Sequence, residues 1–188
     1  MTILDVVTYP DPVLKKVAKK IDLFNDELKT LATNMLETMY EAPGVGLAAP
    51  QVGQSIRMIV VDTRPSDENG PYISENMTDL EKQADYPLVM VNPEIKQKKG
   101  HIKWEEGCLS VPGYTEEVER AAWVEVHYQD LDGNQHSMEA DSLLGVCIQH
   151  EIDHLDGKVF IERLSQLKFD RIRKQIRKYG YPEKEAEE

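Results

Sequence analysis

Apolar residues recur at helical spacing between Asn25 and Glu41, and polar residues fill the positions between them. The apolar members are Leu28, Leu31, Met35, Leu36 and Met39. This pattern predicts an amphipathic helix with Asn25 as its N-cap. A basic helical pattern runs from Leu164 to Tyr179, and Pro12 suits the first position of a short N-terminal helix. We therefore expect N-terminal helices and a C-terminal helix.

A second apolar segment follows Asp141 and ends at Gly157, and it is apolar on nearly every side. Asp141 offers an N-cap, and Gly157 suits the left-handed conformation that ends many helices. A helix that is apolar all round is a buried one. Its polar side chains His150, Glu151 and His154 then need partners, because an unpaired buried polar group costs free energy.

Four stretches with strand-like patterns lie between these helices. They are residues 56–61, 88–91, 96–104 and 121–130. The last alternates between polar and apolar positions, which is typical of a strand with one buried face. Asp132-Gly133 predicts a hairpin turn, so that residues 137–140 pair back. The acidic stretch 62–86 has no such pattern, and we expect a long surface loop or hairpin there.

The composition fits one globular domain with a sizeable core, because 40% of the 188 residues are hydrophobic. The chain shows no repeat and no internal linker. We therefore expect a single domain over residues 1–181 and a disordered acidic tail over residues 182–188.

The charge and the cysteine count limit which partners and which cellular compartment are compatible with this chain. A formal net charge of -12 argues against DNA, another nucleic acid or an anionic membrane as the main partner. No run reaches the length of a membrane span, and the first residues do not resemble a leader. Cys108 and Cys147 are too few for a disulfide framework, although one disulfide between them is an alternative to free thiols. We expect a cytoplasmic protein.

The candidate chemistry starts at His150 and His154, which are four residues apart. On a helix both imidazoles project from one face, about one turn apart. One metal ion can then bind both rings, and Glu151 beside the first is a candidate general base. A buried hydrogen-bonded cluster without a metal is the alternative.

A third ligand is needed, since a catalytic site typically has three protein ligands and one open position. No histidine follows His154, which argues against the downstream ligand of gluzincin and metzincin proteases. Upstream, Gly107 would let the backbone turn so that the Cys108 sulfur meets the ion. A thiolate and two imidazoles make a tetrahedral site with one position left for water. We assign the competing thiol, Cys147, to packing beside the pocket.

Three motifs together resemble the peptide deformylase family of bacterial type. The family's GxGxAAxQ, EGCxS and QHExDH motifs match residues 44–51, 106–110 and 149–154, in that order and at family-like spacing. The first motif alone would be read as an ordinary tight loop, and it is not a phosphate loop. The resemblance implies an α+β fold, with antiparallel β-sheets packed around a central HExxH-bearing helix.

The resemblance also implies an activity: removal of the N-formyl group from formyl-methionine at the start of new proteins, with release of formate. The implied metal ligands are Cys108, His150 and His154. The implied catalytic groups are Glu151 as acid and base, and Gln51 and the Leu109 backbone N–H as donors to the oxyanion.

The substrate-binding residues follow from the same resemblance. Gly46 would hold the substrate backbone. The pocket for methionine would be lined by Val45, Leu143, Val146 and Cys147. Glu106 and Arg120 match family positions that form an ion pair beneath the cysteine segment, where the pair would orient Cys108. The alternative is an unremarkable solvated pair.

The family is usually an iron(II) enzyme in cells and is often handled with nickel, cobalt or zinc. A Cys-His-His site suits several of these ions. The implied partners are N-formylmethionyl peptides and nascent chains. The basic C-terminal helix could contact ribosomal RNA, and a solvated helix face is the alternative.

The chain departs from the family pattern in two places. Thr115 stands where many members have an arginine near the peptide groove, which leaves recognition beyond methionine open. The stretch 62–86 is longer than in the shortest members and could shape access to the site.

Two rival functions use the same residues. One is a metallopeptidase that cuts internal peptide bonds. The other is a non-catalytic domain with a structural metal clip, although such clips normally have four protein ligands.

Overall fold

The computed structural model describes residues 2–181, so the predicted disorder of the tail 182–188 lies outside the described residues. The helices are α1 (Asp26–Glu41), α2 (Asp79–Gln83), α3 (Ser142–Leu155) and α4 (Gln166–Tyr179). Short 3-10 helices span Pro12–Lys15, Ala49–Val52 and Phe160–Arg163. The strands are β1 (Gly46–Ala48), β2 (Met58–Val61), β3 (Ser66–Asp67), β4 (Gly70–Pro71), β5 (Leu88–Lys99), β6 (Ile102–Gly107), β7 (Thr115–Arg120), β8 (Trp123–Gln129) and β9 (Gln135–Asp141).

The main sheet is antiparallel, with strand order β1-β2-β5-β8-β9. Strands β6 and β7 form a separate hairpin, and β3 and β4 form a small ribbon. Together with α3 and α4 these sheets make an α+β fold, which confirms the predicted fold class. No helix in the described part of the chain is long and apolar enough to cross a membrane.

Strand β2 is the centre of the core, because both of its faces are buried. Ile59 and Val61 pack in the cluster that holds Leu144 and Ile148 of α3. The alternate residues Met58 and Val60 pack with Met35 and Met39 of α1. Successive strand residues point to opposite faces, so the sheet here separates α1 from α3. The apolar helix therefore lies buried against the sheet, as its pattern predicted.

A third cluster supports the cysteine segment. Ile172 and Ile176 of α4 pack with Val111, Val118 and Phe160. The C-terminal helix thus buries its apolar side beneath the turn that follows β6. This contact joins the end of the chain to the hairpin that carries Cys108.

The predicted N-cap of α1 and the predicted glycine at the end of α3 are confirmed. The Asn25 side chain accepts a hydrogen bond from the backbone N–H of Leu28 at 2.9 Å. Gly157 has a φ of +71°, and a Cβ there would lie 2.7 Å from the carbonyl oxygen of Lys15. Glycine is required at this position because both its backbone conformation and the close approach exclude a side chain.

The strand boundaries differ from the prediction. The stretches 88–91 and 96–104 were expected to be separate strands, but β5 is one strand from Leu88 to Lys99, and the chain turns at Gly100. Its pairing with β8 is irregular between Val91 and Glu94 and again between Ile95 and Gln97. The first irregularity falls at Asn92 and Pro93, where the Asn92 side chain bonds to both Ile21 and Gln129. Strand β7 was not predicted, because its sequence is mostly acidic and has little apolar alternation.

The acidic stretch 62–86 contains the ribbon β3–β4 and the short helix α2. Its two ends differ in burial. Tyr72 and Ile73 are exposed, whereas Met77 and Glu81 are buried. The segment is therefore a surface hairpin followed by a structured section that packs into the fold.

Candidate metal centre

Helix α3 brings His150 and His154 together on one face, with ring centroids 5.1 Å apart. The sulfur of Cys108 lies 3.2 Å from Nε2 of His154. One donor atom from each of these three residues lies within 4.8 Å of the other two. The three side chains named from the sequence as ligands thus converge on one point.

Cys108 reaches this point because the chain turns immediately after β6. The backbone N–H of Val111 bonds to the carbonyl oxygen of Cys108 at 2.9 Å, which closes the turn. Val111 is fully buried in the cluster under α4. The turn therefore rests on packed apolar residues, and the sulfur stays directed at the helix.

Glu106 lies between the ligands and a buried arginine. Its carboxylate accepts a hydrogen bond from Nδ1 of His150 at 2.8 Å. Arg120 donates to both Glu106 oxygens, at 2.6 and 2.8 Å. The side chains of this pair are 4% and 1% exposed, so the pair is not solvated. The direct contact of Glu106 is with Nδ1 of His150, so Nε2 is the atom of that ring that could bind an ion.

Asp153 extends this network on the other side of Arg120. It accepts from Nη1 of Arg120 at 2.5 Å and also from Nε and Nη2 of Arg163. Burial alone would raise the pKa of Asp153, but the bonds from Arg163 and Arg120 outweigh it and lower the pKa. Asp153 is therefore a carboxylate, and it balances the buried charge of Arg120.

Gln51 is held in one orientation beside the cysteine. Its side-chain oxygen accepts from the backbone N–H of Ala48 at 2.8 Å. Its Nε2 donates to the hydroxyl of Ser110 at 3.2 Å and lies 3.6 Å from the Cys108 sulfur. The amide N–H groups are thus directed at the ligand cluster, where they can meet a developing negative charge.

Glu151 faces the loop that carries Gly46. A Cβ added at Gly46 would lie 2.6 Å from Oε1 of Glu151 and 2.6 Å from the Cys147 sulfur. Glycine is needed here because the loop backbone approaches α3 too closely for a side chain. Burial raises the pKa of Glu151 to about 7 in the metal-free protein. A carboxyl group with such a pKa can both accept and donate a proton near neutrality.

The residues fit a divalent ion on the chemistry of their donor set. A thiol and two imidazoles are ligands that transition metals prefer. Within residues 2–181, the buried side-chain nitrogen and oxygen atoms that lack a hydrogen-bond partner are Oε2 of Glu151 and Nδ1 of His154. Both belong to this cluster. An ion at Nε2 of His154 would leave Nδ1 unchanged, because Nε2 is the atom that faces the Cys108 sulfur. Of the two atoms, only Oε2 of Glu151 therefore supports a metal site, since nearly all buried polar groups are otherwise paired.

The protonation of the metal-free ligands differs between the two rings. Burial lowers the pKa of His154, so this ring is neutral, as a ligand must be. Burial would also lower the pKa of His150, but its bonds to Cys108 and Glu106 raise it. Burial raises the pKa of Cys147, which keeps that thiol protonated and fits a packing role.

A cleft of about 640 Å³ opens onto the cluster. Its wall includes the residues expected to bind substrate: Val45, Gly46, Leu143, Val146 and Cys147. Leu109, Trp104, Tyr114 and Thr115 also line it. The cleft is thus lined by the N-terminal half of α3, by the end of the β6–β7 hairpin and by the loop at residues 42–46.

Several contributors to the site were not assigned from the sequence. Asp153 could have been identified from the sequence, because an aspartate on an apolar helix needs a partner. Ser110 stands inside the EGCxS motif but had no role there. Arg163 and Glu81 gave no local signal, since each lies in an ordinary charged context and acts through a contact across the fold.

Comparison with known proteins agrees with this geometry. The family model described as Polypeptide deformylase matches residues 3–170. Similar proteins named peptide deformylase occur in Alkalilimnicola ehrlichii (45% identical, covering 95% of this chain and 91% of that protein) and Brucella suis (45%, covering 95% and 94%).

Solved structures show the same likeness. A peptide deformylase from Legionella pneumophila is 39% identical, with a TM-score of 0.80 and 95% of each chain covered. One from Synechococcus elongatus, in complex with actinonin, is 40% identical, with a TM-score of 0.79 and coverage of 95% of this chain and 89% of that one. The motifs, the fold and these relatives lead to one conclusion: the chain belongs to the polypeptide deformylase family.

Proposed function

We propose that this protein hydrolyses the N-formyl group of formyl-methionine at the start of newly made proteins and releases formate. The observation that carries the proposal is the convergence of Cys108, His150 and His154 at the base of the cleft, with Glu151 and Gln51 beside them. Family membership points to the same reaction.

Cys108, His150 and His154 would hold the metal ion of this metalloenzyme. When bound, a divalent ion at such a site supplies a nucleophilic water at neutral pH and polarises a carbonyl group. The donor set suits iron(II), zinc, nickel and cobalt. We propose iron(II) in cells, because that is the ion that the family resemblance favours.

Glu151 is the acid and base of the proposed reaction. Its carboxylate takes the proton of the water that attacks the formyl carbon, and then delivers that proton to the leaving amine. In the metal-free protein burial raises the pKa of this carboxyl group to about 7, which is already near the range in which it can do both. Burial in the wall of the cleft keeps competing bulk water away from it.

Gln51 and the backbone N–H of Leu109 stabilise the oxyanion of the formyl group. Each preorganised donor of this kind is typically worth about 3 kcal/mol in the transition state. The Gln51 amide is preorganised because its oxygen is already bonded to Ala48, so the amide does not need to rotate during the reaction.

The substrate lies with its methionine side chain against α3 and its backbone along Gly46. Val45, Leu143, Val146 and Cys147 make this side apolar, which suits an unbranched thioether side chain. The absence of a Cβ at Gly46 lets the loop backbone that would hold the substrate lie directly against Glu151.

The protein would act in the cytoplasm, where nascent chains are made. Residues 1–181 would form one catalytic domain. Basic side chains of α4, among them Arg171 and Arg177, could contact ribosomal RNA, although the face they form is exposed in any case. Ribosome pelleting of the intact protein, with and without charge reversal at Arg177, tests that contact.

Formate release from formyl-Met-Ala-Ser tests the activity. Protein is purified anaerobically with iron(II) and assayed with and without a chelator. Without chelator we expect the products to be formate and the intact tripeptide. With chelator we expect the protein to lose its metal and to stop releasing formate. Cleavage between residues would instead indicate a peptidase, and bound metal without any turnover would indicate a structural clip.

A further inference from the structure

We propose that Glu81 is a positioning residue for the deformylase site: its buried carboxylate holds the first turn of α3, and this turn forms the wall of the methionine pocket. The inference rests on the proposed function for its substrate. It gives the acidic stretch 62–86 a role, which neither its sequence pattern nor its exposed charges suggest.

The first turn of α3 lacks the cap expected from its own sequence. Asp141 stands at the N-cap position, but its side chain bonds to no N–H group of the helix. It accepts instead from the hydroxyl of Thr78, at 2.6 Å. Ser142, the first helical residue, has a φ of +48°. Such a conformation costs free energy in a residue other than glycine, so the surroundings must hold it.

Glu81 takes over the function of the cap. Its Oε1 accepts from the backbone N–H of Leu144 at 3.3 Å. Leu144 is the third helical residue, whose N–H group an N-cap side chain commonly satisfies. A carboxylate at this end also interacts favourably with the helix dipole. Glu81 therefore supplies from α2 what Asp141 does not supply.

Glu81 is itself fixed by its own helix. Its Oε2 accepts from the backbone N–H of Thr78 at 2.8 Å, and Thr78 Oγ1 accepts from the Glu81 N–H at 3.2 Å. These reciprocal bonds form a capping box at the start of α2. Thr78 thus contacts Glu81 on one side and Asp141 on the other, so α2 and the start of α3 are joined at two points.

The turn that is held carries the pocket wall. Leu143 precedes the capped residue, and Val146 and Cys147 follow within one turn, and all three line the cleft. His150 and Glu151 lie farther along α3, where Glu106 holds His150 and the neighbouring Ile148 and Ile152 pack in the core. A loosened first turn should therefore alter the fit of the methionine side chain more than the chemistry.

The experiment compares Glu81→Ala and Glu81→Gln with Glu75→Ala, an exposed acid of the same segment that serves as the matched control. For formyl-Met-Ala-Ser, Glu81→Ala should raise KM about three- to tenfold, within the range that a partly buried helix-terminal charge is worth. Its kcat should stay within about twofold of the parent value. Glu81→Gln keeps one acceptor oxygen but loses the charge and places its NH2 group against an N–H group, so its KM should lie between those of the parent and Glu81→Ala. Glu75→Ala should match the parent.

Hydrogen exchange of the metal-loaded protein gives a readout that needs no substrate. The Leu144 amide should exchange faster in Glu81→Ala, with no change at His150. If Glu81→Ala kept the parent's exchange rate at Leu144 and the parent's KM, the proposal would be overturned. A loss of kcat and of bound metal at unchanged KM would also overturn it. A parent protein that releases no formate refutes the proposed function, while the exchange result still decides the cap.

Discussion

The carboxylate of Glu106 bonds to Nδ1 of His150 on one side and to Arg120 on the other, at distances of 2.6 to 2.8 Å. One buried acid therefore orients a proposed metal ligand and neutralises a buried arginine. Glu106→Ala removes both functions at once. We expect metal affinity to fall about 10- to 100-fold, the usual effect of losing such an outer partner.

Competition with a chromogenic chelator measures that affinity directly. Glu105→Gln is the control, because Glu105 is the exposed neighbour on the same strand. An affinity for metal that is unchanged in Glu106→Ala would mean that packing alone orients His150.

Cys108→Ala should lose metal and activity together, because a thiolate ligand has no replacement at that position. Cys147→Ala is the matched thiol variant and should keep its metal, since the Cys147 sulfur packs against Val45 and Gly46. Metal analysis of both purified variants is the measurement. A metal-replete, active Cys108→Ala protein would refute the ligand assignment.

Glu151→Gln should keep its metal and lose turnover. An amide of the same shape cannot accept a proton from water, so kcat should fall by roughly 10²- to 10⁴-fold. Metal content and formate release are measured on the same preparation. Full turnover by the variant would show that another group moves the proton.

Gly46→Ala should damage the site without touching a ligand. The new methyl group would lie 2.6 Å from both the Cys147 sulfur and Oε1 of Glu151, so these side chains must shift. We expect kcat/KM to fall on the order of 100-fold, the cost of a misplacement of about 1 Å. Steady-state kinetics with formyl-Met-Ala-Ser are the measurement, and an unchanged kcat/KM would show that the loop moves aside without disturbing Glu151.

Asp62 should contribute stability that depends on pH. Burial alone would raise its pKa, but bonds from Arg64 and Tyr40 outweigh it and lower the pKa below the ordinary value of 3.8. A carboxylate whose pKa is lowered by folding contributes its full stabilisation at pH values above its ordinary pKa of 3.8. That stabilisation is lost as the pH falls through the lowered pKa of the folded protein.

Asp62→Asn should therefore reduce the free energy of unfolding by about 1–3 kcal/mol at neutral pH. The difference from the parent should shrink below pH 3.8. Urea unfolding across that range is the measurement. A difference that stays constant down to the lowest pH would show that the charge is not what matters.

The sequence alone determined the parts of this protein that depend on local order. Helical spacing placed α1 and α3, because apolar periodicity reports which face of a helix is buried. The spacing of His150 and His154 put both rings on one face, since a helical turn has nearly four residues. The motifs that contain Gln51 and Cys108 could be recognised because each is a short run of neighbouring residues.

Only the tertiary structure decided how distant segments complete the site. The cap of α3 comes from Glu81, 63 residues before Leu144, and no pattern around either residue announces the other. Strand β7 exists because it pairs with β6, although its own residues have little strand character. Arg163 reaches Asp153 only after the chain has turned at Gly157. Such contacts depend on where whole elements pack, so their energy cannot be assigned to any local stretch of the chain.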